Sequence, residues 1–227
     1  MTREEFIKNI KVQDGTFGGG PLNFNVVQKS VMNAFTNREN FILMSPRQSG
    51  RLTSILINIL YDLYTNDCQD TIITIPLKAN AKQVSFRLEE LLTLNPFITG
   101  LKLKQGEIKN SYNQKVLIKI PQQVKAMTLR ERENKTLIVL DGAFIEDSTP
   151  LFNLIQGWHA VILETVPANL DSFNSVFVKG LMDFDGLRMF KIIKHQWEEI
   201  FDIDWYERQK IYVPEEFFKR EILIEWE

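Results

Sequence analysis

The segment Phe41–Thr53, FILMSPRQSGRLT, places a short apolar run directly before a polar loop and a helical pattern. A loop between a buried strand and a helix offers backbone N–H groups and the positive end of the helix dipole to anionic oxygens. Against the pattern G-x-x-x-x-G-K-[ST], Gly50 matches the second glycine, while Ser45, Arg51 and Leu52 replace the first glycine, the lysine and the magnesium-binding hydroxyl. The segment predicts a phosphate-binding loop of unusual composition, with an ordinary β-to-α turn as the alternative.

A second candidate site is the acidic end of a later apolar run. Residues 135–141 read KTLIVLD, a strand pattern that ends in Asp141. This form is typical of a Walker B segment, whose carboxylate holds the magnesium ion of a nucleotide. Catalytic ATPases usually carry a glutamate next, which polarises the attacking water, and Gly142 takes that place here. The run therefore predicts a metal-binding carboxylate without its catalytic neighbour, although Asp-Gly after a strand is also a common turn signal.

Short apolar runs alternate with helical patterns along the chain, and these elements must position the two candidate segments. The runs that predict buried strands are Asn40–Met44, Thr71–Ile75, Thr136–Leu140 and Ala160–Leu163. Apolar residues at helical spacing predict helices over Phe24–Phe35, Thr53–Tyr64 and Ala81–Leu92. Such alternation indicates an α/β fold with a mostly parallel sheet and helices on both faces. Ligands bind outside the carboxyl ends of such strands, which would bring Ser45–Arg51, Asp141 and Thr165 together.

The segment Leu101–Ile120 has a different period, because apolar and charged residues alternate as in antiparallel strands with one solvated face. It predicts a hairpin added to the parallel sheet. Its lysines, and one that follows, could follow a phosphate backbone or form only a solvated face: Lys102, Lys104, Lys109, Lys115, Lys119 and Lys125. Further along, the patterns predict a helix over Asp171–Leu181, a strand near Met189–Ile193 and a terminal helix over Pro214–Trp226.

Composition limits the other classes of function. The 227 residues carry 27 basic and 29 acidic side chains, so DNA contact requires a local basic patch. The single Cys68 cannot form an internal disulfide, which indicates a reducing compartment. The longest mostly apolar stretch, Ser54–Tyr64, is far shorter than the roughly 20 residues of a membrane helix, so we expect no membrane partner. His159 and His195 are too widely separated in sequence to suggest a metal pair.

Three motifs together resemble the ATPase domain of tailed-bacteriophage terminase large subunits. They are the loop SPRQSGR, the strand end LDGAFI and the strand and turn AVILETVPAN, in the order and at about the spacing of that family. The likeness extends upstream to Gln28 in PLNFNVVQ, and downstream to Trp197, Trp205 and the segment FFKREILIEW. It covers nearly the whole chain.

The resemblance implies a three-layer P-loop fold of the RecA or ASCE type that binds ATP, with magnesium held weakly. Arg47 matches an arginine that senses the γ-phosphate, Asp141 the metal-binding carboxylate, and Thr165 the coupling motif. Gln28 corresponds to an adenine contact and Arg51 to the Walker lysine. Ser45, Gln48, Ser49 and Gly50 would complete the phosphate cradle. Thr53 could supply the metal-binding hydroxyl if the loop shifts by one residue.

The leading hypothesis is a viral P-loop ATPase that acts on double-stranded DNA during genome packaging, with slow or impaired hydrolysis. We expect one domain over residues 1–227 without a nuclease domain, located in the cytoplasm of an infected bacterial host. Other viral packaging or replication proteins, or further copies of the chain, would be its partners. The alternative is a catalytically inactive pseudo-ATPase that binds DNA or protein. If hydrolysis is nevertheless brisk, Glu146 or Glu164 would have replaced the missing acid.

Overall fold

The computed structural model describes residues 1–13, 19–66, 70–76, 78–104, 106–142, 154–155, 157–165 and 190–225. The helices are α1 (Arg3–Asn9), α2 (Val26–Thr36), α3 (Arg51–Thr65), α4 (Lys78–Leu94), α5 (Pro121–Lys125), α6 (Leu129–Arg132), α7 (Ile203–Tyr212) and α8 (Glu215–Phe218). The strands are β1 (Lys11–Val12), β2 (Gly20–Pro21), β3 (Phe41–Met44), β4 (Thr71–Thr74), β5 (Lys102–Lys104), β6 (Glu107–Lys109), β7 (Lys115–Lys119), β8 (Thr136–Val139), β9 (Ala160–Glu164) and β10 (Lys191–Lys194).

One eight-stranded sheet organises the described residues, in the order β10-β3-β9-β8-β4-β7-β6-β5. The strands from β10 to β7 are parallel, while β5, β6 and β7 pair antiparallel. The predicted fold class is therefore confirmed, and the four predicted strands are adjacent in the sheet. The expected hairpin is a three-stranded addition whose last strand, β7, also joins the parallel part beside β4. The small sheet of β1 and β2 is separate.

The central strands are covered on both faces of the sheet. Strands β3 and β4, for example, are buried at every position. Alternate residues belong to two clusters. On one face, Phe41 and Leu43 pack with residues of α2, α3 and α4. On the other face, Ile42 and Met44 pack with Val124 of α5 and with Trp158. Continuous apolar runs are what a doubly covered parallel strand requires, and the result is a three-layer structure.

The predicted terminal helix over Pro214–Trp226 is present but irregular, and it ends before Ile224. Helix α8 passes into a π-helical turn at Lys219–Leu223, and Ile224 leaves the helix with a φ of 53°. Two tertiary contacts account for this break in the pattern. The carbonyl of Glu221 accepts the backbone N–H of Arg47, and Ile224 is fully buried in the second cluster. The chain therefore turns to meet the loop after β3 and the sheet face.

Several elements have no counterpart among the sequence predictions, namely α1, β1, β2, α5, α6 and α7. They are short or lack a clear apolar period; α7, for example, buries none of its side chains. The predicted helix at Asp171–Leu181 lies outside the described residues. No helix in the described parts of the chain is both long and apolar enough to cross a membrane.

Candidate functional site

The loop from Ser45 to Gly50, here called the phosphate loop, connects β3 to α3. Gln48 and Gly50 have φ angles of 66° and 81°, so two of its residues adopt the left-handed conformation that tight anion-binding turns use. The Ser45 and Ser49 hydroxyls are 2.8 Å apart and close the base of the loop. The N-cap of the 15-residue helix α3 is Gly50, which has no side chain to cap the first turn. The first-turn N–H groups and the loop therefore form an anion-binding end.

Helix α2 packs against the phosphate loop and is hydrogen-bonded to it. Asn25 caps α2 and also donates from Nδ2 to the Ser49 carbonyl at 2.8 Å. Gln28 is buried and accepts the backbone N–H of Asn25 at 3.0 Å through Oε1. Its amide nitrogen lies against Gly50, where any Cβ would collide with it. Glycine at position 50 is thus required by both its positive φ and the close approach of Gln28.

Arg51 turns its side chain back across the base of the loop. Its Nη1 donates to the Ser45 carbonyl at 2.8 Å, and its Nε lies 2.7 Å from Oε1 of Glu164. The two side chains are 16% and 6% exposed, so water screens this ion pair only weakly. The cation at the Walker lysine position therefore has an intramolecular counter-ion at the end of β9.

Glu164 also reaches the candidate metal-binding residue. Its Oε2 accepts the backbone N–H of Asp141 at 2.9 Å, and Asp141 has a φ of 50°. Asn80, at the start of α4, donates from Nδ2 to Asp141 Oδ2 at 3.3 Å. Burial and the neighbouring charge of Glu164 raise the pKa of Asp141 to about 6, whereas Arg51 and the Asn80 hydrogen bond oppose the shift. A divalent cation at Asp141 would favour its charged form.

Arg47 leaves the loop in another direction, toward the C-terminal segment. Its side chain is 62% exposed, and Nη1 lies 3.7 Å from Oε2 of Glu221. Glu221 in turn lies 3.1 Å from Nη2 of Arg220. The charge of Glu221 contributes to the raised pKa of Asp141, which brings the C-terminal segment into the electrostatics of the site. An exposed guanidinium on this loop is available to a phosphate, at the cost of a weak ion pair.

The structure brings most of the predicted site residues to one edge of the sheet. The loop residues, Arg51 and Asp141 are joined through Glu164, as described above. Thr165 is fully buried, and its N–H donates to the carbonyl of Leu43 in β3 at 3.1 Å. Thr53 is in the first turn of α3, but no hydrogen bond among the described residues joins it to Asp141. Its proposed metal role stays a prediction.

Sequence reasoning missed two contributors and undervalued a third. Asn80 belongs to no motif and Glu221 is only part of the resembling segment FFKREILIEW, and the folded chain brings them to Asp141 and Arg47. Glu164 is predicted only as a substitute acid, although its position at the end of a strand that adjoins β3 is a usable signal. Glu146 and the rest of the predicted coupling turn after Thr165 lie outside the described residues.

The hydrogen-bond donors and acceptors of this site suit the phosphate oxygens of a nucleoside triphosphate better than a tightly held metal ion. Uncapped N–H groups, the loop and two arginines suit phosphate oxygens. Asp141 offers one carboxylate for magnesium, which usually binds through one or two carboxylates and substrate phosphates. Within the described residues, no group of three or more His, Cys, Asp or Glu side chains could hold a metal without such a phosphate.

The fold is similar to solved structures of phage large terminases. The bacteriophage HK97 enzyme matches with a TM-score of 0.73 and 15% identity, over 100% of this chain and 56% of that one. The ATPase domain of the Thermus phage P74-26 large terminase matches with 0.62 and 15%, over 92% and 95% of the two chains. The large terminase of a thermophilic bacteriophage in complex with ADP matches with 0.64 and 12%, over 90% and 54%.

No protein-family model matches the sequence, and no curated protein matches it significantly. The structural likeness establishes that this chain has the fold of the large-terminase ATPase domain, which confirms the resemblance at the level of fold. The chain spans about half the length of the full-length terminases it matches.

Proposed function

We propose that this chain binds ATP at the phosphate loop and acts on double-stranded DNA in viral genome packaging, with slow hydrolysis. The observation that carries the proposal is the continuous set of contacts from Ser45 through Arg51 and Glu164 to Asp141. It lies at the carboxyl ends of β3, β9 and β8, which are neighbours in the sheet. Open α/β sheets bind ligands at this edge.

Each side chain has a distinct part in this proposal. The loop N–H groups and Arg47 bind phosphate oxygens, and Asp141 would hold magnesium, which neutralises phosphate charge when bound. Arg51 provides a second cation, but its planar guanidinium already donates to Ser45 and pairs with Glu164. Bound phosphate must therefore compete with Glu164 for Arg51, or share it. This competition weakens the electrostatic stabilisation on which phosphoryl transfer depends.

The alternative, a pseudo-ATPase that binds nucleotide or partner without turnover, is favoured by one observation at Gly142. A Cβ at this buried residue would collide with Leu163 Cδ1. At the position that carries the water-polarising glutamate in the resembling family, any side chain would therefore require Leu163 to move. Glu164 lies beside Asp141, but both of its carboxylate oxygens are engaged, by Arg51 and by the Asp141 N–H. A slow enzyme and an inactive one differ in turnover rather than in nucleotide binding.

Calorimetric titration of ATP into the full chain tests the proposal directly. We expect Arg51→Ala to weaken binding by about tenfold or more, because a charge-assisted contact is worth about 1.5–3 kcal/mol. Glu164→Gln should strengthen binding, since it removes the negative charge that competes for Arg51. Chelation of magnesium should change the affinity less than tenfold, because the loop and arginines provide most of the contacts.

The matched control is Arg87→Ala, which removes an exposed arginine of α4 that pairs only with nearby Glu90 among the described residues. It should leave ATP affinity unchanged. An unchanged affinity in Arg51→Ala, or a loss of more than tenfold on chelation, would contradict the proposed mode of binding. No detectable ATP binding by the natural chain would overturn the proposed nucleotide site.

A further inference from the structure

Three lysines lie directly opposite one another on neighbouring antiparallel strands. The register pairs Lys102 of β5 with Lys109 of β6, and pairs the same Lys109 with Lys115 of β7. We call these three residues the lysine row. Residues paired in this way project from the same face of a sheet, and like charges directly opposite each other are destabilising. The fold therefore carries a local electrostatic cost at this row.

The apolar core fixes the direction in which the lysine row points. The adjacent row across the same strands is Leu103, Ile108 and Val116. Ile108 and Val116 are each 1% exposed and belong to the cluster that includes residues of α4. Since side chains alternate between the faces of a strand, the lysine row projects from the face opposite α4. A slip of the register by one residue would bury the lysines, so this arrangement is strongly specified.

Within the described parts of the chain, no acidic side chain pairs with the row. None of the three lysines forms an ion pair with the described residues. Asp70 accepts the backbone N–H of Lys115 at 3.1 Å. Glu107 lies across from Lys104, which is on the same face but one row further along. A set of like charges that is fixed by the register, and that forms no ion pair with the described residues, indicates an anionic partner.

We propose that the lysine row contacts the sugar-phosphate backbone of double-stranded DNA. With strands about 4.8 Å apart, the outer backbone positions of the row are roughly 10 Å apart. One DNA strand presents a phosphate about every 3.4 Å along the helix axis, so the row could face about three phosphates. The row contains no aromatic or arginine anchor of the kind that dominates protein interfaces, which favours DNA over an acidic protein.

This inference rests on the proposed function for the choice of double-stranded DNA, but it concerns a different part of the molecule. Lys115 begins β7, and the next residue, Val116, pairs with Thr71 at the start of β4. The phosphate loop follows the carboxyl end of β3, which is parallel to these strands through β9 and β8. The row is therefore at the opposite edge of the sheet, where DNA would not block the nucleotide.

The test compares two triple variants of the full chain in fluorescence-anisotropy titrations with a double-stranded DNA oligonucleotide. Lys102→Ala, Lys109→Ala and Lys115→Ala together remove the row. The control combines Lys8→Ala, Lys82→Ala and Lys210→Ala, which removes the same charge from exposed positions elsewhere. We expect the row variant to lose at least tenfold in DNA affinity and the control to stay within about threefold of the natural chain. The row variant should also shift the slope of log K against log salt by about 2–3.

Folding and nucleotide binding separate a surface effect from damage to the structure. The row variant should melt no lower than the natural chain, because it relieves cross-strand repulsion, and it should bind ATP unchanged. Replacement of the three lysines by arginine should keep DNA affinity.

Equal DNA affinity of the row variant and the natural chain would overturn the proposed surface while leaving the proposed function intact. DNA binding that depends on the row without any ATP binding would support the surface and refute the nucleotide site. A natural chain that binds an acidic polypeptide but not DNA would refute the choice of partner.

Discussion

The pKa of Asp141 reflects the charges of the whole site. Its pKa is raised from 3.8 to about 6 because it is buried beside Glu164. Within the site, Arg51 and Asn80 oppose that shift without cancelling it. Two carboxylates held so close together repel each other when both are charged, and a bound cation would reduce that repulsion.

The raised pKa predicts a pH dependence of stability. Between about pH 4 and 6 the folded chain binds a proton at Asp141 that the unfolded chain has lost, so the free energy of unfolding falls as pH rises through this window. The loss should be about 1–3 kcal/mol. Asp141→Asn should remove this contribution, making the variant more stable than the natural chain at pH 7 but not at pH 4.

Urea unfolding at pH 4, 5, 6 and 7 measures this difference. The variant is compared with the natural chain at each pH, because other carboxyl groups titrate in the same window and cancel in the comparison. Glu198→Gln, at an exposed position, serves as the control and should show no such trend. A difference between Asp141→Asn and the natural chain that is independent of pH would refute the raised pKa.

At the scale of elements, the contact between the end of β8 and β9 decides what position 142 can hold. Gly142 is buried, and Leu163 of β9 is 1% exposed in the second cluster. The colliding Leu163 Cδ1 is the end of a buried side chain, which would have to change its position to admit a Cβ at residue 142. A glutamate at this position would therefore disturb the contact with β9.

This packing predicts that installing a side chain at position 142 is costly. We expect Gly142→Ala and Gly142→Glu each to lower the free energy of unfolding, by about 1–3 kcal/mol for the alanine as an overpacked core site. Chemical denaturation measures the loss. In a double-mutant cycle, Leu163→Val should recover part of it, because the shorter side chain vacates the contact. Additive effects of the two changes would mean that Leu163 is not what excludes a side chain from position 142.

The elements also explain how far sequence alone could go. The four central strands could be predicted from their apolar runs. The phosphate loop and Asp141 could be predicted because each comes directly after one of these strands. Glu221 could not be predicted, because its contact depends on a π-helical turn that interrupts a regular helical pattern. Asn80 likewise reaches Asp141 only after α4 packs against the sheet. The three-stranded register that aligns the lysines depends on two turns whose geometry the alternating pattern does not specify.

At the scale of the whole molecule, helix α3 connects the two proposed surfaces. It begins at Arg51 beside the phosphate loop and extends for 15 residues, a length of about 22 Å. Near its other end, the carbonyl of Leu63 accepts a hydrogen bond at 3.0 Å from Asn110, in the turn between Lys109 and Lys115. Helix α3 thus joins the phosphate-loop end of the sheet to the turn that connects two strands of the lysine row.

The whole molecule should nevertheless be a poor ATPase. Arg51 is held by Ser45 and Glu164, and Gly142 lacks the water-polarising carboxylate, so two contributions to the transition state are impaired together. Loss of one preorganised polar group commonly costs on the order of 10²–10³ in rate. We therefore expect the natural chain to hydrolyse ATP far below the roughly 1–100 s⁻¹ typical of competent kinases.

Phosphate release, measured with and without double-stranded DNA, tests this expectation. The lysine-row variant is the control for any stimulation, since it should bind ATP normally but respond weakly to DNA. Brisk hydrolysis that depends on DNA and is lost in Glu164→Gln would mean that Glu164 leaves Arg51 and acts on water, and the chain would then be an active motor.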